Sequence, residues 1–153
     1  MIELYNNTSS KIITLTTLSR ANVGKIFSAE YNEKCRKCRL YRVCIGNLRK
    51  GMAYRVIYVR NKKHFCPIIK DYMKVVEVIE LPFDLTVPIK QAVNGAIITF
   101  SKKCNKIDCD NFDVCNPPGL RKGDKIKILK VRNIRIKCPF KINLRVVSAK
   151  RIF

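Results

Sequence analysis

The sequence predicts a β-rich α+β fold built from two small, related modules. Leu-Arg-Lys-Gly and Val-Arg-Asn each occur twice in the 153 residues, and eight cysteines fall into two sets of four with similar spacing. Short segments that alternate apolar and polar residues, the period of a β-strand, follow at matching places in each half. We therefore expect an internal duplication, with modules at residues 1–80 and 81–153 related by a pseudo-two-fold axis.

The two halves match at a nearly constant separation of 71 or 72 residues. The matched pairs are Leu48–Gly51 with Leu120–Gly123, Val59–Asn61 with Val131–Asn133, Cys66 with Cys138, Gly24 with Gly95, and Val75 with Val146. Chance would not keep so many identities in register. The duplication therefore governs how every other feature is interpreted.

In the first module, a strand is predicted at Lys25–Phe27 after a glycine, followed by a cysteine-rich segment long enough for one helical turn. Arg-Lys-Gly then predicts a tight turn before an alternating strand at Tyr54–Arg60. Another strand is predicted at Lys74–Ile79. Residues 81–88 contain two prolines, and we expect them to connect the modules.

The second module begins with a predicted short helix at Lys90–Val93 and a strand at Ala96–Phe100. An alternating strand follows from Lys125 to Arg132, and its phase slips by one residue at Leu129, which predicts a β-bulge. On either side of the slip, one face of this strand is basic and the other is apolar. The last strand is predicted at Arg145–Val147.

The eight cysteines are predicted to be ligands of two metal centres. Their patterns are C-x2-C-x5-C-x21-C-P and C-x4-C-x5-C-x22-C-P, as expected if a hairpin of fixed length returns the last ligand. The predicted ligand sets are Cys35, Cys38, Cys44 and Cys66 in the first module, and Cys104, Cys109, Cys115 and Cys138 in the second. His64 could be a spare ligand, but four thiolates already close a site, and we interpret it as an exposed loop residue.

The spacing favours a 4Fe-4S cluster over zinc by a narrow margin. Structural zinc usually takes two paired C-x2-C turns, whereas only Cys35 and Cys38 form such a pair here. Three close cysteines with a distant Cys-Pro are more typical of iron–sulfur proteins. The run from Cys35 to Cys44 also resembles the C-x2-C-x5-C clamp of nucleases that hold a 4Fe-4S cluster, although the nuclease core is absent. Zinc remains open, because C-x5-C also occurs in zinc fingers that bind RNA.

The formal charge of +21 indicates a polyanionic partner. Two tetrathiolate centres of about −2 each would still leave about +17. Nucleic acid, with RNA favoured over DNA, fits better than a membrane, because no basic amphipathic helix is apparent. The predicted nucleic-acid contacts are Arg36, Lys37, Arg39, Arg42, Arg49, Lys50, Arg121, Lys122, Lys125 and Lys127. Tyr41, Tyr54, Tyr58 and Phe65 could stack on bases or pack in the core.

Several functions find no support in the sequence. Asn22-Val23-Gly24-Lys25 has the ending of a phosphate-binding loop, but Ser19 replaces its first glycine and Ile26 its Ser/Thr. One histidine allows no metalloprotease motif, and Asp108, Asp110 and Asp113 are interpreted as solvated loop residues. No catalytic motif and no small-molecule substrate are evident, so an enzymatic function ranks as a third hypothesis without a candidate active site. The N-terminus, Met1–Tyr5, has no signal-peptide pattern, so the expected location is the cytoplasm.

The doubled four-cysteine pattern, with Leu-Arg-Lys-Gly and Cys-Pro in each copy, resembles the uncharacterised archaeal protein family 0179. The resemblance covers nearly the whole chain, matches all eight cysteines and implies an archaeal origin, but it implies no established activity. The first functional hypothesis is therefore a metal-containing protein that binds structured RNA in ribosome assembly or translation. The alternative is a small redox protein that passes electrons between two iron–sulfur clusters.

Overall fold

The computed structural model describes residues 11–30, 33–101, 104 and 106–152. These residues form two compact units, which divide the chain between Leu81 and Pro82. The N-terminal segment Met1–Tyr5, on which the expected location depends, lies outside the described residues.

The first unit contains a four-stranded antiparallel sheet. Its strands are β1 (Ile12–Thr17), β2 (Ile26–Ser28), β3 (Ala53–Cys66) and β4 (Asp71–Glu80), in the order β1-β4-β3-β2. The two long strands β3 and β4 form a hairpin; β1 pairs with β4 from Met73 to Val78, whereas β2 pairs only with Ala53–Arg55 at the start of β3. The far end of the hairpin therefore extends beyond β2.

The second unit also contains a four-stranded antiparallel sheet. Its strands are β5 (Phe83–Pro88), β6 (Ile97–Thr99), β7 (Lys125–Lys137) and β8 (Asn143–Ile152), in the order β5-β8-β7-β6. Each strand thus takes the same place in its sheet as the strand four positions earlier in the chain. A long hairpin, here β7 and β8, again forms the middle of the sheet.

Helical structure is confined to short segments in the part of the chain that the structure describes. Four 3₁₀ turns lie at Glu33–Lys37, Tyr41–Val43, Ile45–Asn47 and Ile89–Gln91, and one α-helical turn, α1, spans Phe112–Cys115. No described helix has the length and apolar composition needed to cross a bilayer. The β-rich class predicted from the alternating segments is confirmed.

The first strand of each sheet was not predicted from the sequence. Residues 81–88 were predicted to connect the modules, but Phe83–Pro88 forms β5, and no strand was predicted where β1 lies. The prolines misled because β5 is an edge strand, where a missing N–H costs no ladder hydrogen bond on the open side. Pro88 occupies the last position of the strand.

The long hairpins extend well beyond the predicted strands. The strand predicted at Tyr54–Arg60 continues to Cys66, and the one predicted at Arg145–Val147 spans Asn143–Ile152. The alternation stops being informative at the hairpin ends, because both faces there carry exposed or half-buried side chains. Alternation of apolar and polar residues predicts a strand only where one face of that strand is buried.

The core of each sheet lies on one face of its central hairpin. Tyr54, Val56, Val76 and Val78 are fully buried in the first unit. In the second unit the core residues are Leu85, Val87, Phe100, Ile126, Ile128, Val147 and Ala149. Burial of these apolar side chains is the main force that holds each hairpin to its edge strands.

Both hairpins are interrupted twice, at matching places. The first irregularity lies between Val56 and Tyr58 in β3 and between Ile128 and Lys130 in β7, so the bulge predicted at Leu129 is confirmed. The second lies between Val59 and Lys63, and between Val131 and Arg135. The repeated Val-Arg-Asn therefore lies at the second irregularity, beyond which each hairpin extends away from the core. Irregularities of this kind increase the local twist of a strand.

Candidate functional site

In the first unit, three of the four cysteines lie on consecutive tight turns between β2 and β3. The Cys38 N–H donates to the Cys35 carbonyl at 3.1 Å, and the Asn47 N–H donates to the Cys44 carbonyl at 3.2 Å. Cys66 is the last residue of β3, which returns it from the far end of the hairpin. The turns thus hold three sulfurs close in sequence, and the hairpin supplies the fourth.

The edge strand β1, which sequence reasoning missed, anchors this cysteine loop. The Thr14 hydroxyl donates to the Cys44 carbonyl at 2.9 Å, and the Asn47 side-chain amide donates to the Ile13 carbonyl at 2.7 Å. The Cys44 thiol itself points at the Leu15 carbonyl, with a sulfur–oxygen distance of 3.8 Å. These contacts join residues about thirty positions apart and fix the loop against the sheet.

All four cysteines of the first unit line one cavity of about 30 Å³. His64 lines the same cavity, and it is half-buried within β3. The interpretation of His64 as an exposed loop residue was therefore wrong. Its position follows from the strand: His64 and Cys66 are two residues apart, so they lie on the same face of β3.

In the second unit, the cysteine loop is built from a turn and the helical turn α1. The Cys109 N–H donates to the Lys106 carbonyl at 3.1 Å, and the Cys115 N–H donates to the Asn111 carbonyl at 3.0 Å. Cys138 directly follows β7, as Cys66 ends β3. The loop is again attached to the hairpin, since the Asn111 side-chain amide donates to the Lys137 carbonyl at 3.5 Å.

Two hydrogen bonds in this unit are directed at sulfur. The Thr86 hydroxyl of β5 donates to Cys115 Sγ at 2.8 Å, and the Lys106 N–H donates to Cys104 Sγ at 3.4 Å. Donors aimed at sulfur stabilise a thiolate and orient it, which is how outer residues support a metal ligand. All four cysteines of the unit line one cavity of about 170 Å³, together with apolar side chains that include Phe100 and Phe112.

The eight cysteines are half-buried and none forms a disulfide. Among the described residues, however, no three His, Cys, Asp or Glu side chains are arranged closely enough to hold a single metal ion. Cys35, Cys38, Cys44 and Cys66 are among the residues that line one cavity, and the cysteines of the second quartet are among those that line the other.

Burial raises the thiol pKa of one cysteine in each quartet. Desolvation raises the pKa of the Cys44 thiol from 9.0 to about 11. Desolvation also raises the pKa of Cys115, against the opposing effect of the Thr86 hydrogen bond, and the neighbouring Cys104, Cys109 and Cys138 raise it further. The electrostatic influence of all three partners on Cys115 is a second sign that the quartet is close in space.

Most of the predicted nucleic-acid contacts are on the surface. The exposed ones are Arg36, Lys37, Arg39, Arg42, Lys50, Arg121, Lys122 and Lys125, and the half-buried ones are Arg49 and Lys127. Lys37 and Arg39 border an open groove whose other residues include His64 and Phe65. Asp108, Asp110 and Asp113 are exposed, as their interpretation as solvated loop residues required.

The aromatic residues separate into core and surface. Tyr54 is fully buried, and its hydroxyl accepts from the Arg49 N–H at 2.7 Å and donates to Glu80 at 3.2 Å, so it cannot stack on a base. Tyr58 and Phe65 are 57% and 51% exposed. Sequence reasoning missed Tyr72, which faces Phe65 across the hairpin, and only the hairpin register could have revealed this pair.

The comparisons with known proteins agree on one family. The model of the uncharacterised protein family UPF0179 matches residues 12–149. A UPF0179 protein of Methanocaldococcus jannaschii is 34% identical over 94% of this chain and 95% of its own. The corresponding values are 38%, 86% and 89% for a relative from Methanosarcina barkeri, and 41%, 65% and 69% for one from Pyrococcus abyssi.

No solved structure matches the chain. The family match spans both sheets and all eight cysteines, and these three relatives come from archaea, as the sequence resemblance implied. The chain therefore belongs to the uncharacterised protein family UPF0179.

Proposed function

We propose that this chain is a basic, metal-containing nucleic-acid-binding protein, with RNA as its partner. Each unit holds one metal centre through four cysteine thiolates, and the two units descend from one duplicated module. The observation that carries the proposal is that each within-unit quartet, assembled from a loop and the end of a hairpin, lines a single cavity. Four thiols gathered in this way without a disulfide are more typical of metal ligands than of structural cysteines.

The duplication is supported by the correspondence between the sheets. Strand order, both hairpin irregularities and the position of the fourth cysteine all recur from the first unit to the second. Two anchors also correspond: Leu15 and Thr86 lie opposite Val75 and Val146, the matched pair of the two halves, and each contacts the third cysteine of its quartet. Independent origins would not produce these matches.

For the metal, a 4Fe-4S cluster is the favoured occupant over zinc. Both sets of four combine three close cysteines with a distant Cys-Pro, and this spacing is more typical of iron–sulfur ligation than of the paired C-x2-C turns of structural zinc. A cluster needs space between its ligands, and the apolar surroundings of Phe100 and Phe112 would exclude water from it.

The charge supports the nucleic-acid part of the proposal. From Lys34 to Lys50 the chain carries basic residues and no acid, and Lys37 and Arg39 border a groove with Cys38 in its lining. The 32 Lys and Arg residues outnumber the 11 Asp and Glu residues, so a formal charge of +21 remains even if every acid forms an ion pair. Such an excess favours contacts with phosphates, and the metal centres would hold the two loops in shape for them.

The test is purification without oxygen, followed by metal analysis and RNA-binding measurements over a range of salt concentrations. We expect a brown protein with about eight iron atoms per chain, and an RNA affinity that falls steeply with salt. Colourless protein with two zinc ions would correct the metal and leave the quartets in place. Protein without stoichiometric metal, or without salt-dependent RNA binding, would contradict the corresponding half of the proposal. Reversible bleaching by a reductant without RNA binding would instead favour the redox alternative.

A further inference from the structure

The far end of the hairpin formed by β3 and β4 carries an aromatic pair that remains half exposed. Phe65 and Tyr72 lie directly opposite each other, with ring centroids 5.4 Å apart and an interplanar angle of 72°. Their side chains are 51% and 53% exposed. Keeping two large rings in contact with water at a strand end is unfavourable, so the pair has a purpose other than holding the hairpin closed.

Two lysines share the face of this pair. Lys63 lies opposite Lys74, and both are two residues away from the aromatic pair along their strands, so all four side chains are on one face of the hairpin. Like charges directly opposite each other destabilise a sheet. In the second unit, Arg135 lies opposite Arg145 at the matching place. Both hairpins thus place two cations where an anion between them would remove the repulsion.

The opposite face of this hairpin lines the first cysteine cavity. His64 and Met73 are cross-strand partners that line the first cysteine cavity, together with Cys66. Phe65 reaches the boundary between the two faces, because it also lines this cavity and borders an open groove with Lys37 and Arg39 in its lining.

Resting on the proposed function, we infer that this face binds single-stranded nucleic acid, and that an unpaired base stacks on Phe65 and Tyr72. Lys63 and Lys74 contact the phosphates of the flanking nucleotides, and the strand continues along the groove toward Lys37 and Arg39. A ring that is half exposed offers a stacking surface to a base of any identity. A duplex cannot use it, because the faces of its bases are already covered by their neighbours.

The second unit supplies an internal control. Beyond Arg135 and Arg145, the position of the aromatic pair is taken by Lys137 opposite Asn143. This hairpin therefore has two cations at the matching place and no cross-strand aromatic pair, and its exposed Phe140 lies in the turn between β7 and β8. The preference for single strands arises in the first unit alone, whereas both hairpins add to the dependence on salt.

The experiment compares full-length variants by fluorescence anisotropy, using a short single-stranded RNA, the matched single-stranded DNA and the RNA duplex. Phe65→Leu with Tyr72→Leu keeps apolar side chains that strands tolerate, and Phe65→Ala with Tyr72→Ala removes the rings entirely. Stacking contributes the equivalent of roughly 5- to 150-fold in affinity per base. We expect both double variants to lose single-strand affinity on that scale for RNA and DNA alike, with little change for the duplex. The salt slope is unchanged, because no ionic contact is lost.

Two further double variants separate the contribution of base stacking to affinity from that of phosphate contacts. Lys63→Ala with Lys74→Ala should flatten the single-strand salt slope by roughly 1.4, or about 0.7 for each phosphate contact. Lys137→Ala with Asn143→Ala, the matched control, should weaken single-strand and duplex binding by similar factors. Metal content and thermal unfolding of every variant show that the fold is retained.

Two outcomes are distinguishable. If the parent protein binds RNA with a steep salt dependence and the leucine variant binds the single strand equally well, the inference is overturned and the proposed function stands. If the parent binds neither single-stranded nor duplex RNA, the proposed function fails, and the inference fails with it.

Discussion

The two sheets have the same strand order, but they carry different chemistry at matching positions. In the first unit the far end of the hairpin pairs Phe65 with Tyr72, and in the second it pairs Lys137 with Asn143. The loop of the first quartet is cationic, whereas the second loop includes three exposed aspartates. What the units share is the backbone and the cysteines, and what differs is the surface. On the proposed function, the shared sheets and cysteines hold the loops in shape, and the differing surfaces make different contacts with RNA.

The cores differ as well. Tyr54, which is fully buried in the first unit, has as its repeat mate Ile126, which is fully buried in the second. The tyrosine brings a hydroxyl that must be satisfied inside the sheet, and Arg49 and Glu80 provide its partners. The same backbone position thus accepts a polar network in one copy and only apolar contact in the other. Paired variants at matching positions of the two sheets test these differences.

The largest effect is expected from removing the fourth ligand of each quartet. Cys66→Ser and Cys138→Ser should each lose roughly half of the bound metal, and each should destabilise the unit that contains it, because metal binding contributes directly to folding. Metal analysis and thermal unfolding check both variants. Loss of all metal from either single variant would show that the centres are not independent, and full retention would show that these cysteines are not ligands.

The next largest effect concerns the cationic loop. Replacing Arg36, Lys37, Arg39 and Arg42 with neutral residues should weaken RNA binding and flatten its log–log salt slope by roughly two to four units, because each phosphate contact releases counterions. Metal content should stay the same. The matched variant neutralises the second loop at Asp108, Asp110 and Asp113, and it should bind RNA as well as the parent or better. Equal affinity and slope in both variants would place the RNA elsewhere on the surface.

A moderate effect is expected from the two core positions. Tyr54→Phe should lower the free energy of unfolding by about 1–3 kcal/mol, because the Arg49 N–H and the Glu80 carboxylate each lose a buried hydrogen-bond partner. Ile126→Val removes one buried methylene group and should cost about 0.5–1.5 kcal/mol. Chemical denaturation of the two variants provides the comparison. A Tyr54→Phe variant as stable as the parent would mean that the hydroxyl network does not stabilise the first unit.

The smallest effect is expected from the two ion pairs that are formed by the arginine of each Val-Arg-Asn repeat. Arg60 contacts Glu77 at 3.3 Å and Arg132 contacts Asp84 at 3.2 Å, and both arginine side chains are nearly half exposed. Replacing either arginine with alanine should therefore change the free energy of unfolding by at most about 1 kcal/mol. Any difference from the parent should shrink at high salt, since these charges are screened. A larger, salt-insensitive loss would show that the arginine stem is needed for packing at the bulge.

Several features were predictable because their causes are local. Alternation of apolar and polar residues predicted the buried stretches of the long hairpins, and the phase slip at Leu129 predicted a bulge that the register contains. The β-rich class followed from the same signal, and the repeated cysteine pattern identified the family. Each of these properties depends on the spacing of residues that are close in sequence, because the direction of successive side chains alternates with a fixed period in a strand.

Other features depend on partners far away in the chain. β1 and β5 were not predicted, since an edge strand tolerates proline and has only one neighbour to satisfy. These strands nevertheless anchor the cysteine loops through Thr14, Leu15 and Thr86. His64 was assigned to a loop because a lone histidine carries no periodic signal.

The sequence pattern alone identified which residues repeat, where the central strands of each sheet bury a face, and how the cysteines divide into two sets of four. The face of a hairpin on which each side chain lies became clear only from the fold. His64 and Cys66 lie on one face of β3 and line the cysteine cavity, whereas Lys63 lies on the other face and does not line it. The physical reason is that register sets the face, and the register of these hairpins is set by bulges and cross-strand pairs that no single segment contains.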